Sequence, residues 1–269
     1  MKYGAGKIAD LLGVSIETVR NYEKLGLISP ARNDQNSYRE YDAIDLNILR
    51  RVRTYSSCGL SVKQSADLIL HGTVEDLAVS FGEMGASLSE KIRYDMQLLI
   101  FLKQKQAHLS RISAMQSTSC IENSPPMYGL QFREDLKFIM DAQVESIFRD
   151  WSEMRPFAES MLKFSKDNFI EDGLHYFHGL CIEEQYADFY GIAENEHIAY
   201  YPARKCLYSF VKNVFETKAS AENSSLKVAK KDLERMGLTM VDDPFGRVLH
   251  TSKADGEYHH YIEVWIPIA

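Results

Sequence analysis

The amino-acid sequence predicts an α+β protein in which a helical head, one long helix and a sheet-rich domain follow one another. Three patterns support this class. Short helices separated by tight turns fill residues 1–72, an apolar stripe at helical spacing runs over residues 74–116, and two βαββ patterns follow in tandem. We expect domains at residues 1–73, 74–117 and 128–269, and a Ser- and Pro-rich linker at residues 118–127.

The head begins with two helices joined by a short turn. Gly13 follows the first helix, where a residue with positive φ is favoured, and the Ser15 hydroxyl can cap the second. This order is the plan of a helix-turn-helix. The predicted seam between the two helices is apolar and consists of Ile8, Leu11, Leu12, Val14 and Val19.

A turn-rich segment at residues 33–37 lies between β-capable residues and predicts a hairpin, or wing. Asp42 is placed to cap a helix over residues 43–56, and Ser61 a helix over residues 62–70. Residues 1–73 are therefore predicted to be a winged helix-turn-helix DNA-binding domain.

DNA binding requires phosphate neutralisation and contacts to base edges. The second helix would enter the major groove and the wing would lie along the backbone. Each candidate can also be a solvated charge or, for the tyrosines, a packing residue of the wing. The candidate DNA-binding residues are Ser15, Thr18, Arg20, Tyr22, Arg32, Tyr38, Arg39, Tyr41, Arg53 and Lys63.

The charge distribution agrees with this placement. Residues 1–120 contain 15 Lys and Arg against 13 Asp and Glu, and the remainder contains 16 against 25. The net charge of −7 thus arises in the second half. A nucleic acid suits the first half, and a cationic ligand suits the second.

The long helix is predicted to form a dimerisation coiled coil, because a lone helix would leave its apolar stripe in water. Asp95 and Gln106 interrupt one possible heptad frame, and Lys91, Asp95 and Lys105 interrupt another. The stripe comprises Leu77, Phe81, Met84, Leu88, Ile92, Leu98, Leu99, Leu102, Leu109 and Ile112.

The carboxy-terminal domain is predicted to contain two half-sheets with helices on one side and a groove between the copies. The first copy would have strands at residues 130–144, 174–182 and 198–201 and a helix at 148–163. The second would have strands at residues 205–211, 248–251 and 260–268 and a helix at 225–236 that ends before Gly237.

The last strand alternates in character, and residues two apart share a face. Ile262, Val264, Ile266 and Ile268 form an aliphatic face, while Tyr261, Glu263 and Trp265 point the other way. A carboxylate between aromatic rings suits an organic cation, at ~0.5–2 kcal/mol per ring. The alternative is an exposed face with Glu263 as a surface charge. The predicted ligand-binding residues are Glu263, Tyr261, Trp265, Tyr208 and Tyr176.

Several classes of protein are not expected. No apolar stretch reaches the ~20 residues of a membrane helix, and residues 1–10 lack a signal-peptide core, so we expect a cytoplasmic protein without a membrane partner. Cys58, Cys120, Cys181 and Cys206 have no paired spacing, which predicts free thiols and no metal site. No cofactor and no catalytic residue are assigned.

The head resembles the MerR family of transcription regulators at residues 8–15, 18–30, 38–41 and 59–61. The resemblance implies a homodimer on double-stranded promoter DNA with an over-long spacer. Binding of an effector would distort that DNA, so that RNA polymerase can engage it and transcription is activated.

The second half resembles GyrI-like effector-binding domains, with the clearest match at residues 261–268. The resemblance implies a multidrug sensor in which Glu263 faces a lipophilic cationic small molecule. Some GyrI-like domains hydrolyse small molecules through a tyrosine and a glutamate, so a hydrolase using Glu263 with Tyr208 or Tyr261 is the alternative. A domain that docks a partner protein also stays open.

Overall fold

The computed structural model describes residues 2–114, 119–135, 137–170, 176–213, 226–254 and 256–269. It divides the chain into two compact units, residues 1–96 and residues 97–269. The boundary falls within the long helix α5, Val74–Ala114. The predicted ends at Gln116, Leu174 and Ser225 lie outside the described residues.

The first unit confirms the predicted order of helix, turn, helix, wing and helix pair. Its elements are α1 (Ala5–Leu12), α2 (Ile16–Lys24), β1 (Ala31–Arg32), β2 (Arg39–Glu40), α3 (Ala43–Ser57) and α4 (Val62–Leu70). Gly13 has φ 62° after α1, and the Ser15 hydroxyl accepts a hydrogen bond from the Thr18 amide at 3.0 Å. Asp42 and Ser61 both form capping boxes.

The core of the head agrees with the predicted seam except at one position. Ile8, Leu12 and Val19 are buried, and Val14 packs against them. Leu11 is 49% exposed, because it lies on the outer side of α1.

The second unit is built on one antiparallel sheet, with nine strands in the described part of the chain. The spatial order is β3-β9-β11-β10-β6-β7-β4-β5, and β8 pairs with β4. The strands are β3 (Cys120–Asn123), β4 (Met127–Glu134), β5 (Lys137–Phe138), β6 (Glu159–Phe164), β7 (Tyr176–Glu183), β8 (Ile198–Tyr201), β9 (Lys205–Asn213), β10 (Phe245–Ala254) and β11 (Glu257–Pro267).

Its helices are α6 (Ala142–Glu153), α7 (Lys166–Ile170), α8 (Glu184–Tyr190) and α9 (Leu226–Arg235). A tandem βαββ repeat is present, because β4-α6-β6-β7 and β9-α9-β10-β11 have the same element order. The first copy differs from the prediction: β6 is one of its strands, and β8, predicted as its last strand, pairs with β4 outside the repeat. Within each copy the last strand lies between the other two, and β6 pairs with β10 to join the copies into one sheet.

Several predicted boundaries were wrong. The predicted strand over residues 130–144 ends at Glu134, and Asp141 caps α6 by accepting from the amides of Gln143 and Val144. The helix predicted at residues 148–163 is the end of α6 followed by strand β6. Pro156 lies between them, and proline has no amide hydrogen with which to continue a helix.

Two segments assigned no structure from the sequence also fold. Residues 120–123 of the predicted linker form β3, which pairs with β9 at the sheet edge. The acidic stretch after β7 forms helix α8, which ends at Gly191 with φ 67°. Helix α8 contacts β4 and β7, and its Tyr186 and Ala187 are buried.

Candidate functional site

The exposed surface of the head contains most of the predicted DNA-binding side chains. Ser15, Arg20, Arg32, Arg53 and Lys63 are exposed, and Thr18 is partly exposed. Tyr38 at the wing is 73% exposed. These positions lie at the start of α2 and on α2, the wing, α3 and α4. Contact of this surface with DNA stays a prediction.

Two predicted DNA-binding tyrosines are packing residues. Tyr22 is 3% exposed and Tyr41 is 0% exposed, and both belong to the core of the head. The Tyr41 hydroxyl donates a hydrogen bond to Glu23 Oε1, and Arg39 Nε lies 2.8 Å from Glu23 Oε2. Burial and the Glu23 carboxylate raise the pKa of Tyr41. Glu23, which was not predicted, thus ties the wing to α2.

The alternation predicted for β11 is present. Ile262, Val264, Ile266 and Ile268 belong to the core that also contains Ala229 and Leu233 of α9. Glu263 and Trp265 lie on the opposite side of the sheet, which we call the carboxylate face.

Glu263 is not a surface charge, because its exposure is 0%. Its Oε1 accepts a hydrogen bond from Arg247 Nε at 2.6 Å, and its Oε2 lies 2.8 Å from His108 Nε2. Burial alone would raise the pKa of Glu263, but Arg247 and His108 outweigh burial and lower it to about 2. Glu263 is therefore ionised and paired inside the protein.

Arg247 connects three carboxylates on the carboxylate face. Besides Glu263, its Nη1 forms ion pairs with Glu159 Oε2 at 3.1 Å and with Glu183 Oε1. Burial opposes the charged guanidinium, but the three carboxylates together raise the pKa of Arg247. Its guanidinium carbon also lies 5.2 Å from the centre of the Trp265 ring. Sequence reasoning missed Arg247, since nothing local links it to Glu263.

Helix α5 contributes side chains to the same cluster, within the second unit. Lys105 Nζ lies 2.5 Å from Glu159 Oε1. His108 Nε2 is also 2.8 Å from the Tyr208 hydroxyl, which is 3.4 Å from Glu263 Oε2. The sequence had suggested only that Lys105 interrupts a coiled-coil frame.

The aromatic residues divide between the two faces. Tyr208 and Trp265 are buried on the carboxylate face with ring centres 5.9 Å apart. Tyr261 packs against Phe210 at 6.2 Å and is partly exposed. Tyr176 packs in the aliphatic core instead, so the structure does not bring it to Glu263. Among the described residues, Trp265 Nε1 is buried without a hydrogen-bond partner.

An acidic cleft of about 350 Å³ adjoins the cluster. Glu183, which pairs with Arg247, also lines this cleft together with Glu184 and Asp188. The cleft therefore has a negatively charged lining that includes one carboxylate of the cluster.

The cysteines and the other potential metal ligands form no further site among the described residues. All four cysteines are free thiols in the structure, and Cys181 and Cys206 are buried. No group of three or more His, Cys, Asp or Glu side chains in those parts is arranged to hold a metal ion. None of the described helices combines the length and apolar character needed to cross a bilayer.

Comparison with known proteins identifies the head. Residues 5–41 match the model of the MerR family regulatory protein. The chain is 42% identical over 64 residues to heavy metal-dependent transcription regulator 2 of Rhizobium meliloti. This alignment covers 24% of the present chain and 44% of that protein. The chain is 25% identical over 95 residues to the transcriptional activator mta of Bacillus subtilis, or 35% of this chain and 37% of that protein.

Among solved structures, the EcmrR–DNA complex aligns over 99% of both chains with 16% identity and a TM-score of 0.37. The chain spans less than half the length of the first curated relatives that it matches.

Proposed function

Because the amino-terminal head of this chain is that of a MerR family regulator, we propose that the protein is a dimeric, DNA-binding transcription regulator that responds to an organic cation. The head would bind promoter DNA, and the carboxy-terminal domain would bind the effector. Activation through distortion of promoter DNA and engagement of RNA polymerase is part of this proposal.

The arrangement of charge on the carboxylate face carries the ligand assignment. Glu159, Glu183 and Glu263 surround a single arginine of the sheet, and Glu263 is fully buried. Carboxylates in a low-dielectric interior attract cations more strongly than surface carboxylates do. Tyr208 and Trp265 add ring faces that favour a lipophilic cation over a hydrated one.

Binding of tetraphenylphosphonium to the full chain, followed by calorimetry, tests this site. We expect Glu263→Gln to lower the affinity at least tenfold, because Arg247 then repels the ligand more strongly. Glu183→Gln, at a residue that lines the cleft, should also lower the affinity for tetraphenylphosphonium. Glu145→Gln on the exposed side of α6 is the matched control and should bind like the wild type.

Circular dichroism of each variant verifies that the fold is retained. Equal binding by Glu263→Gln, Glu183→Gln and the control would contradict the assignment of the site. No binding to any of the chains would contradict a cationic effector.

The hydrolase alternative has weaker support. A tyrosine nucleophile needs a phenol that ionises readily, but burial and Glu263 raise the pKa of Tyr208. Glu263 is held by Arg247, and it is therefore a poor base for this phenol. Release of p-nitrophenol from p-nitrophenyl acetate, lost in Tyr208→Phe, would favour the hydrolase.

A further inference from the structure

One face of helix α5 covers the carboxylate face with polar and aromatic side chains. Phe101 packs edge-on against Phe157 at 5.6 Å, and the Tyr186 hydroxyl donates to Gln104 Oε1 at 2.9 Å. With Lys105 and His108, these α5 residues are spaced by three or four along the helix, as one helical face requires. This face belongs to the second unit, residues 97–269.

The two charged or polar groups at the centre of this helical face bind two different carboxylates. Lys105 Nζ pairs with Glu159 at 2.5 Å, and His108 Nε2 bonds Glu263 at 2.8 Å. Lys105 and His108 therefore lie where the proposed function places a cationic ligand. The structure shows this site with α5 in place.

Charge balance indicates what would replace them. Arg247 belongs to β10 and remains with the sheet, where it compensates one of the three carboxylates. Departure of Lys105 and His108 would leave Glu159 and Glu263 without their α5 partners. Three carboxylates and one guanidinium leave two negative charges uncompensated, which two positive groups of a ligand would balance.

Lys105 is held less firmly than Arg247. Arg247 donates an oriented hydrogen bond to each of three carboxylates: Glu263 at 2.6 Å, Glu159 at 3.1 Å, and Glu183. The enclosed Lys105 ammonium has one ion pair and the Phe101 ring at 5.5 Å, but no well-oriented hydrogen bond within the described chain. An enclosed ammonium that lacks oriented acceptors is poorly compensated for the loss of its hydration.

We infer that Lys105 and His108 are an internal occupant of the ligand site, and that an organic dication binds by displacing them. The inference rests on the proposed function. Displacement frees a face of α5, the helix that begins at Val74 and crosses the boundary between the two units. Ligand binding is thereby linked to the element that continues into the first unit.

The sequence supplies a separate observation in favour of this role. Lys105 interrupts the apolar stripe of α5, which costs a coiled coil stability. The structure explains the interruption, because the Lys105 ammonium pairs with Glu159 of strand β6.

Calorimetric titration of the full chain with the bis-quaternary dication decamethonium tests the inference. We expect Lys105→Met and His108→Gln each to tighten binding at least tenfold, because the ligand no longer competes with the native group. Lys103→Met, an exposed lysine of the same helix, is the matched control and should leave the affinity unchanged. In the wild type, decamethonium should also speed amide hydrogen exchange over residues 101–111.

Three results would overturn the inference while the proposed function stands: unchanged or weaker binding in both variants, unaltered exchange in the ligand-bound wild type, or tighter binding of tetraphenylphosphonium than of decamethonium. Binding to the variants but not to the wild type would support it. Absence of binding to every chain, with either cation, would overturn the proposed function and the inference together.

Discussion

Arg247 and Glu263 are directly paired residues of β10 and β11, and their side chains form a buried ion pair across the two strands. Gly246 allows the backbones of β10 and β11 to approach closely, because a Cβ at this position would collide with the carbonyl oxygen of Glu263. The ion pair is therefore built into the register of the sheet.

Loss of Arg247 should destabilise the fold. Removing one partner of a buried ion pair leaves uncompensated charge and costs about 3–5 kcal/mol. We expect Arg247→Met to lower the free energy of unfolding at pH 7 by that amount in urea titrations. Arg149→Met, on the exposed side of α6, is the control and should be nearly neutral. A near-neutral Arg247→Met would show that the cluster tolerates the unpaired carboxylates.

The pH dependence of stability should change in the same variant. In the wild type the pKa of Glu263 is lowered from 4.5 to about 2, so its contribution is complete above pH 4.5 and is lost as the pH falls to 2. Without Arg247, we expect burial to outweigh the remaining influence of His108 and Lys105 and to raise the pKa of Glu263 above its ordinary value. In the variant, Glu263 then lowers the stability as the pH rises and the buried carboxyl must ionise. The difference in free energy of unfolding between variant and wild type should therefore be smaller at pH 4.5 than at pH 8. A constant difference would contradict this.

His178 should reduce stability in mild acid. Burial, then Arg133 and His260, lower its pKa from 6.5 to about 4, and its ring lies 5.3 Å from Phe132. The unfolded chain takes up a proton below pH 6.5 but the folded chain does not, so stability falls as the pH drops from 6.5 to 4.

We expect His178→Phe to flatten the profile of melting temperature between pH 6.5 and 4. His71→Phe, at the exposed end of α4, is the control and should keep the wild-type slope. An unchanged slope in His178→Phe would contradict the assignment.

The exposed arginine of α2 should contribute to DNA binding through phosphate contact. Arg20 is exposed, and the nearest carboxylate is Glu17 at 3.8 Å. Arg20→Ala should weaken binding to a nonspecific duplex and reduce the slope of log affinity against log salt by ~1. Fluorescence anisotropy at several salt concentrations measures this. Lys137→Ala in β5 is the control, and equal slopes in both variants would exclude Arg20 from the interface.

The apolar stripe of α5 should mediate dimerisation. Leu88, Ile92 and Leu99 are 58%, 51% and 52% exposed, which is more apolar surface than a solitary helix should present to water. Ile92→Glu should convert a dimer to a monomer in sedimentation velocity, since a charge in a coiled-coil seam is unpaired. Glu90→Lys, an exposed position outside both heptad frames, is the control and should remain dimeric. A dimeric Ile92→Glu would place the interface elsewhere.

The head was predictable because its signals are local. Ser15, Asp42 and Ser61 cap helices through atoms two or three residues away, and Gly13 adopts positive φ beside its own helix. The error at residues 148–163 has the opposite origin. The segment 159–164 is a strand because it pairs with β7 and β10, which its own sequence does not record.

The sequence by itself determined that Glu263 lies opposite the aliphatic face, because alternation follows from the period of two in a strand. Only the tertiary structure decided what Glu263 meets there. The β10–β11 pairing shifts between Val248 and His250, and without that shift Arg247 would oppose Val264 instead of Glu263. Its second partner, His108, arrives on a helix distant in sequence. Backbone geometry sets the direction of a side chain locally, whereas register and long-range packing select its partners.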